Sequence, residues 1–173
     1  MSSVKTRSIL RFLASTGLLL SLSFSAPAFA LSFTDFSVDA TASWVDTGIL
    51  IGLGNQIDMT AEGMASGGST PNGPAGDGGA CGSCIAPVPF SHYALVGRIG
   101  PGPGTEFLVG ANYSGTAAAA GNLFLAFNDD FHDDNMGFFL VSGTVVPEPS
   151  TALLLAVGLF ALAVSRSWVR ATS

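Results

Sequence analysis

Basic residues are almost absent from the middle of this chain. Of its six lysine and arginine residues, only Arg98 lies between residues 31 and 146. Eleven acidic side chains share that range, so its formal charge is −10, compared with −6 for the whole chain. A surface so poor in cations is unsuited to phosphate, which excludes nucleic acid as a partner. An acidic domain of this kind is expected to attract cations.

Familiar catalytic motifs are also lacking. The chain contains no Gly-x-Ser-x-Gly, no Walker sequence and no His-Glu-x-x-His, and it has only two histidines. We therefore predict a protein that is not an enzyme. A glycoside hydrolase, which needs two carboxylates across a cleft, is disfavoured for the same reason.

Residues 31–146 show no sustained apolar repeat of helical period. Apolar residues instead alternate with polar ones in short runs that are separated by Gly and Pro. These runs are residues 36–40, 49–53, 57–61, 93–99, 106–110, 122–128 and 138–146. They predict an all-β domain, an antiparallel β-sandwich of jelly-roll type, with residues 52–56 as a hairpin connection. The side chains expected to fill much of its core are Phe107, Phe124, Phe127, Phe138 and Phe139.

The first 30 residues have the three parts of a secretion signal. A basic segment precedes an apolar stretch of about 13 residues, shorter than the roughly 20 that span a bilayer. Ala28 and Ala30 then offer the small side chains that signal peptidase requires. We expect a helical signal peptide over residues 1–30, cleavage after Ala30 and export of the remainder.

Residues 147–173 also have three parts in a fixed order. Pro147, Glu148 and Pro149 come first, an apolar run over residues 152–164 follows, and two arginines lie near the end. The prolines keep the first part extended and accessible. The apolar run is short for a durable anchor, although a simple single-pass anchor is the alternative.

This end resembles the PEP-CTERM sorting signal of Gram-negative bacteria. The resemblance implies recognition by an exosortase-type membrane protease. It also implies transient anchoring in the inner membrane by a C-terminal hydrophobic helix, and delivery to the cell envelope or the extracellular space. Together the two ends divide the chain into a signal peptide (1–30), one domain (31–146) and a sorting signal (147–173).

Residues 63–90 are rich in Gly, Pro and Ser and contain both cysteines of the chain. A loop this long within a compact domain is usually functional or disordered, and we expect a functional one. Cys81 and Cys84 have the spacing of a redox motif, but no helix is predicted there to lower a thiol pKa. In an exported protein we expect them to form a small disulfide. A zinc site would need two further ligands, and His92 and His132 are the only histidines.

The densest polar cluster is residues 128–135, which contain four aspartates between two predicted strands. Carboxylate and amide oxygens at flexible spacing suit Ca²⁺. The segment is not an EF-hand, because Phe131 occupies a ligand position and no Glu closes the loop. A solvated acidic turn is the alternative at this point.

Several short motifs, in order, resemble the calcium-dependent galactophilic lectins of bacteria. They are residues 44–49, 57–66, 72–77, 94–100, 123–129 and 134–138. The resemblance implies a β-sandwich with Ca²⁺ at one end, in direct contact with sugar hydroxyls. By position, its side-chain ligands correspond to Asp129, Asp134 and Asn135. Gly67 corresponds to a backbone-carbonyl ligand, and a carbonyl near Phe131 or His132 would supply another; Asp130 and Asp133 face solvent or act as substitute ligands.

The sequence also departs from that family. The sugar-contacting His and Gln of the family have no counterpart in residues 78–84, so galactose specificity does not carry over. His92 lies too far along the chain to be expected in that place, and it is equally expected at a strand end. The sequence therefore predicts an exported, non-enzymatic protein that binds a polysaccharide or glycan through Ca²⁺. The alternative is a structural protein of the extracellular matrix in which Ca²⁺ is purely stabilising.

Overall fold

The computed structural model describes residues 29–86, 89–147 and 158–159. This part of the chain forms eight strands: β1 (Leu31–Asp39), β2 (Val45–Ile51), β3 (Gln56–Gly67), β4 (Leu95–Ile99), β5 (Glu106–Leu108), β6 (Asn112–Thr116), β7 (Gly121–Phe127) and β8 (Asn135–Val146). The predicted signal-peptide helix lies outside the described residues. So does the predicted C-terminal helix, except for Gly158 and Leu159, which are helical. No described helix is both long and apolar enough to cross a membrane.

The strands form two four-stranded sheets, in the orders β1-β8-β3-β6 and β2-β7-β4-β5. Every pairing is antiparallel, which confirms the predicted antiparallel β-sandwich. The longest pairing joins β3 to β8 from Gln56 opposite Val146 to Gly67 opposite Asn135. One end of this pair therefore places Gly67 beside Asn135, the residue at which the acidic loop ends and β8 begins.

Two predictions about the strands were wrong. Residues 52–56 do not close a hairpin, because β2 pairs with β7 in one sheet while β3 pairs with β6 and β8 in the other. Alternation shows that a strand has one buried face, but not which of two facing sheets it joins. Strand β6 was missed because its sequence, Asn-Tyr-Ser-Gly-Thr, has a single large apolar residue.

The core lies between the sheets and consists of alternate residues of both. Its largest buried side chains are Phe127, Phe139, Ile51, Ile57, Met59, Leu95, Leu123, Leu125, Val38, Val109 and Val141. Phe138 was wrongly predicted there and is 50% exposed, because its neighbour Phe139 faces inward. Phe124 lies on the outer face, 5.0 Å from the Arg98 guanidinium, and Phe107 is half-buried against the core.

The segment between β3 and β4 covers the outer face of the second sheet. A second apolar cluster there buries Ala86 against Val96 and Ala126 of the sheet, with Ile85 and Phe90 packed around them. Isolated bridges join Asn72 of this segment to Ala65 of β3, and join Ala75 to Ala94 and Ala80 to Ser91. This packing brings the two cysteines to the end of the sandwich at which β7 ends.

Candidate metal and ligand site

Three strand ends meet at one end of the sandwich. Asp129 follows the last residue of β7 by two positions, Asn135 begins β8 and Gly67 ends β3. Asp129 and Asn135 are each only 4% exposed. Polar residues buried to this extent require hydrogen-bond or metal partners, so this end of the sandwich is a candidate binding site.

Gly67 leaves room for two oxygen atoms at this end. A Cβ built on Gly67 would lie 2.6 Å from Asp129 Oδ2 and 3.0 Å from Asn135 Oδ1. Both oxygens are therefore within reach of one point beside Gly67, and any side chain at this position would displace them. The carbonyl of Gly67 accepts a hydrogen bond of 3.3 Å from the Tyr93 hydroxyl, which holds this strand end in place.

The Asn135 amide is fixed in its orientation. Its Nδ2 donates to the carbonyl of Ala40 at 2.9 Å and lies 3.2 Å from His132 Nδ1. Its Oδ1 is buried and has no hydrogen-bond partner among the described residues. A buried acceptor without a donor is destabilising by about 1–3 kcal/mol. An amide oxygen and a carboxylate oxygen that converge on one point are suitable ligands for a hard cation such as Ca²⁺, so these residues fit the implied metal.

Asp129 is held by its neighbours through one of its two oxygens. Asp129 Oδ1 accepts from the backbone N–H of Asp130 at 2.8 Å and lies 3.3 Å from His92 Nε2. The carbonyl of Asp129 accepts from the N–H of Ile85 at 3.2 Å. These contacts leave Oδ2 as the oxygen that faces Gly67 and Asn135.

The other acidic residues occupy different positions. Asp134 is exposed and lies against Gly68, whose N–H donates to the Asp134 carbonyl at 3.1 Å. Asp130 is exposed and accepts a 3.0 Å hydrogen bond from the Ser83 hydroxyl. Asp133 is exposed. The structure thus groups Asp129, Asn135 and Gly67, with Asp134 beside them; we call these four residues the end site.

His92 lies in contact with the end site, contrary to the expectation from the sequence. Its Nε2 is near Asp129 Oδ1, its Nδ1 is 3.7 Å from Asp77 Oδ2, and its ring stacks on Tyr93 at 3.6 Å. The loop doubles back, because the His92 N–H donates to the Gly79 carbonyl and the Asp77 N–H donates to the His92 carbonyl. His92 comes just before β4, and β4 pairs antiparallel with β7. The start of β4 therefore lies beside the end of β7, where Asp129 follows, and this neighbourhood is the signal that could have placed His92 at the site.

Cys81 and Cys84 are joined by a disulfide, with their Cα atoms 5.6 Å apart. Possible ligand atoms of Cys81, Cys84 and His92 lie within 4.8 Å of one another. The two sulfurs are bonded to each other, so neither is a thiolate that could bind zinc. The Cys84 sulfur lies 3.3 Å from the Asn128 carbonyl, which places the disulfide ring beside the acidic loop.

The predicted processing sites flank the sandwich. Ala30 is exposed directly before β1, and Pro147 directly follows β8. Ala28, Glu148 and Pro149 lie outside the described residues.

Comparison with known proteins finds similarity at the C-terminus and in the sandwich. Residues 145–167 match the PEP-CTERM protein-sorting motif. The fold is similar to that of a PllA-like lectin, the N-terminal domain of EclA, with a TM-score of 0.52 and 26% sequence identity. This similarity covers 66% of the present chain and 97% of the EclA chain. No curated protein matches the sequence. A C-terminal PEP-CTERM sorting motif and a core that is structurally like a lectin, both inferred from the sequence, are confirmed.

Proposed function

We propose that this chain is an exported, non-enzymatic protein that binds carbohydrate in a calcium-dependent manner at the end site. The observation that carries the proposal is the buried, unpartnered Asn135 Oδ1, which converges with Asp129 Oδ2 beside Gly67. The similarity to a PllA-like lectin supports carbohydrate as the ligand class. The 26% identity extends over nearly the whole of that lectin domain, so the comparison supports more than a shared architecture.

Asp129 and Asn135 would hold the ion from within the sandwich, with Asp134 and the Gly67 carbonyl at the solvent side. Calcium at this point supplies positive charge to which sugar hydroxyl oxygens bind. The role of the protein is to fix the ligands in advance. The Ala40 carbonyl fixes the Asn135 amide, and the Asp130 N–H fixes the Asp129 carboxylate.

The surroundings of the end site offer polar and apolar contacts to a sugar. His92 is partly exposed, with 28% of its side chain accessible, and Asp77 beside it has 37% accessible. An imidazole can donate a hydrogen bond to a hydroxyl group or accept one from it, and a carboxylate can accept one. Phe131, in the acidic loop, is 57% exposed and offers an apolar face. The family's His and Gln are absent from residues 78–84, and we propose that His92, Asp77 and Phe131 contact the sugar instead, so we expect a specificity other than galactose.

Delivery to the cell surface follows from the two ends of the chain. The PEP-CTERM motif supports sorting by an exosortase-type membrane protease, with transient anchoring by the C-terminal helix. The motif begins at residue 145, within the last two residues of β8, so almost no linker separates it from the sandwich. Cleavage close to Pro147 would release the folded domain whole.

A structural matrix protein is the second candidate function. It is favoured by the burial of Asp129 and Asn135, because an ion held this deeply stabilises the sandwich end whether or not a sugar binds. In that case the ion serves only to satisfy buried oxygens.

Calorimetric titration of the full chain with Ca²⁺, after EGTA treatment, tests the metal claim that both candidates share. We expect saturable binding that is lost in the double variant Asp129→Ala, Asp134→Ala. Glu62→Gln, an exposed acidic residue of β3, is the matched control and should bind as the unaltered chain does. Absence of calcium binding by the unaltered chain, or equal binding by the double variant, would contradict the assignment.

A further inference from the structure

The outer face of the first sheet carries two rows of small polar side chains that cross all four strands. Paired positions place the first row in register across β1, β8, β3 and β6. Its members are Ser32, Thr144, Asp58 and Ser114. The second row has the same order of strands. Its members are Thr34, Ser142, Thr60 and Asn112. Neighbouring strands are about 4.8 Å apart, so the first row is a regular ladder of hydroxyl and carboxylate groups. In the second row Ser142, Thr60 and Asn112 are paired, whereas Thr34 lies in a bulge of β1.

These eight residues, together with Phe33, Gly143, Met59 and Tyr113 of the row between them, line an open groove of about 620 Å³, which we call the hydroxyl groove. An adjoining depression of about 400 Å³ shares Thr60, Asn112 and Ser142 with it and adds Asp35 and Glu62. The volume lies within the roughly 300–1,000 Å³ typical of ligand sites. None of the residues that line either depression belongs to the end site.

Several groups in the groove have hydrogen-bonding capacity to spare. Among the described residues, the hydroxyls of Thr60 and Thr144 and the side-chain amide of Asn112 make no hydrogen bond to protein. Asp58 Oδ1 accepts only a long bond of 3.4 Å from Gln56 Nε2. Elsewhere on the surface, comparable side chains are occupied by local turns, as with Asp39, Asp46 and Asp77. Ser142 Oγ accepts from the Asp35 N–H at 3.0 Å and Ser114 Oγ accepts from Gln56 Nε2 at 3.2 Å, so the free groups of the groove are mainly those of Thr60, Thr144 and Asn112.

Charge restricts what can occupy the groove. Asp35, Asp58 and Glu62 are acidic, and Arg98, the one basic residue in the described part of the chain, is on the other sheet. Like charges therefore oppose an acidic polymer, a phosphate group or a second copy of the same face. The large apolar residues that line the groove, Phe33, Met59 and Tyr113, are buried or partly buried and pack in the core, which disfavours a lipid or an apolar helix as the occupant. A hydroxyl group both donates and accepts, so a neutral polyhydroxylated chain matches the lining.

We propose that the hydroxyl groove binds a neutral polysaccharide laid across β1, β8, β3 and β6, without calcium. This site goes beyond the end site and gives the domain a second, independent contact with a glycan. Two contacts on one domain raise the avidity for a long polymer even when each is weak.

Affinity electrophoresis of the full chain tests this site, in native gels containing dextran, β-glucan, galactan or mannan. All gels contain EGTA, so the end site does not contribute. We expect at least one polymer to retard the chain. The double variant Thr60→Val, Thr144→Val removes two hydroxyls, retains shape and suits strands. It should bind about tenfold more weakly, which corresponds to two lost hydrogen bonds of about 0.7 kcal/mol each.

Thr70→Val, which removes an exposed hydroxyl outside the groove, is the control and should be retarded normally. Asp58→Asn provides a second groove variant in case the double variant misfolds, and it should also weaken retardation. No retardation by any of the four polymers in EGTA overturns the proposal, as does equal retardation of the groove variants. Binding of oligolysine in place of the polymers would identify the groove as a basic-peptide site and also overturn it. Because EGTA is present throughout, these outcomes are independent of the calcium site.

Discussion

Asp129→Asn is expected to stabilise the calcium-free protein while abolishing its response to calcium. Asp129 Oδ1 accepts from the Asp130 N–H, so the amide oxygen of the variant should remain at that position. Its NH₂ group then replaces Oδ2, the oxygen that converges with Asn135 Oδ1 beside Gly67. The substitution thus supplies a donor to the one buried side-chain oxygen of the described residues that lacks a partner.

The size of the stabilisation follows from the unpartnered Asn135 Oδ1. Satisfying it removes a penalty of about 1–3 kcal/mol. Loss of the negative charge weakens the bond from Asp130, because charged hydrogen bonds are stronger, so we expect a net gain of about 1 kcal/mol. For a domain of this size, that corresponds to a rise in Tm of about 4 °C.

Thermal melting followed by circular dichroism, in EGTA and in excess Ca²⁺, measures both effects. The unaltered chain should melt higher in calcium, whereas Asp129→Asn should melt at one temperature in both buffers. Asp130→Asn is the matched control, since Asp130 is exposed and should alter stability by no more than about 0.5 kcal/mol. A lower Tm of Asp129→Asn in EGTA, or a calcium-dependent rise that persists in it, would refute the reasoning.

Three further predictions concern the rest of the domain. Replacing Cys81 and Cys84 by Ser should lower the free energy of unfolding in urea by about 2 kcal/mol, the value for a very short ring, and dithiothreitol should no longer affect stability. Arg98→Lys should lower the free energy of unfolding by about 1 kcal/mol, because the guanidinium lies 4.4 Å from the centre of the Trp44 ring and 5.0 Å from that of Phe124. An unchanged urea midpoint would contradict this. The Gly48 N–H and the Asn122 amide lower the pKa of Asp46 below its ordinary 3.8, so its contribution to stability is present above that pH and lost as pH falls below it. Asp46→Asn should therefore lose less stability than the unaltered chain during acid titration, and parallel titration curves would count against this.

The sandwich could be predicted because alternation of apolar residues depends only on which face of a strand is buried. Ile57, Met59, Phe139 and Val141 follow this rule and lie in the core. The pairing of strands could not be predicted in the same way. The short separation of β2 from β3 suggested a hairpin, yet their apolar faces meet across the core from opposite sheets. Local sequence does not encode which sheet a strand joins.

The candidate site was predicted in part. The acidic loop was identified from its carboxylate and amide residues, and its ligands and Gly67 through a resemblance; the structure brings Asp129, Asn135 and Gly67 together. His92 was not expected to replace the family's sugar-contacting His because of its distance along the chain, but hydrogen bonds from Asp77 and to Gly79 fold the intervening loop back and bring it beside Asp129. The hydroxyl groove was not foreseen, since its members come from four strands and only the register of the sheet aligns them.

A glycan array probed with the full chain, in Ca²⁺ and again in EGTA, tests calcium-dependent carbohydrate binding most directly. We expect a set of glycans that bind in Ca²⁺ and are lost both in EGTA and with Asp129→Asn. Calcium-dependent melting without any glycan bound would favour the structural role of the ion. If every glycan that binds does so at equal strength in both buffers, or none binds in either, calcium-dependent binding at the end site is contradicted.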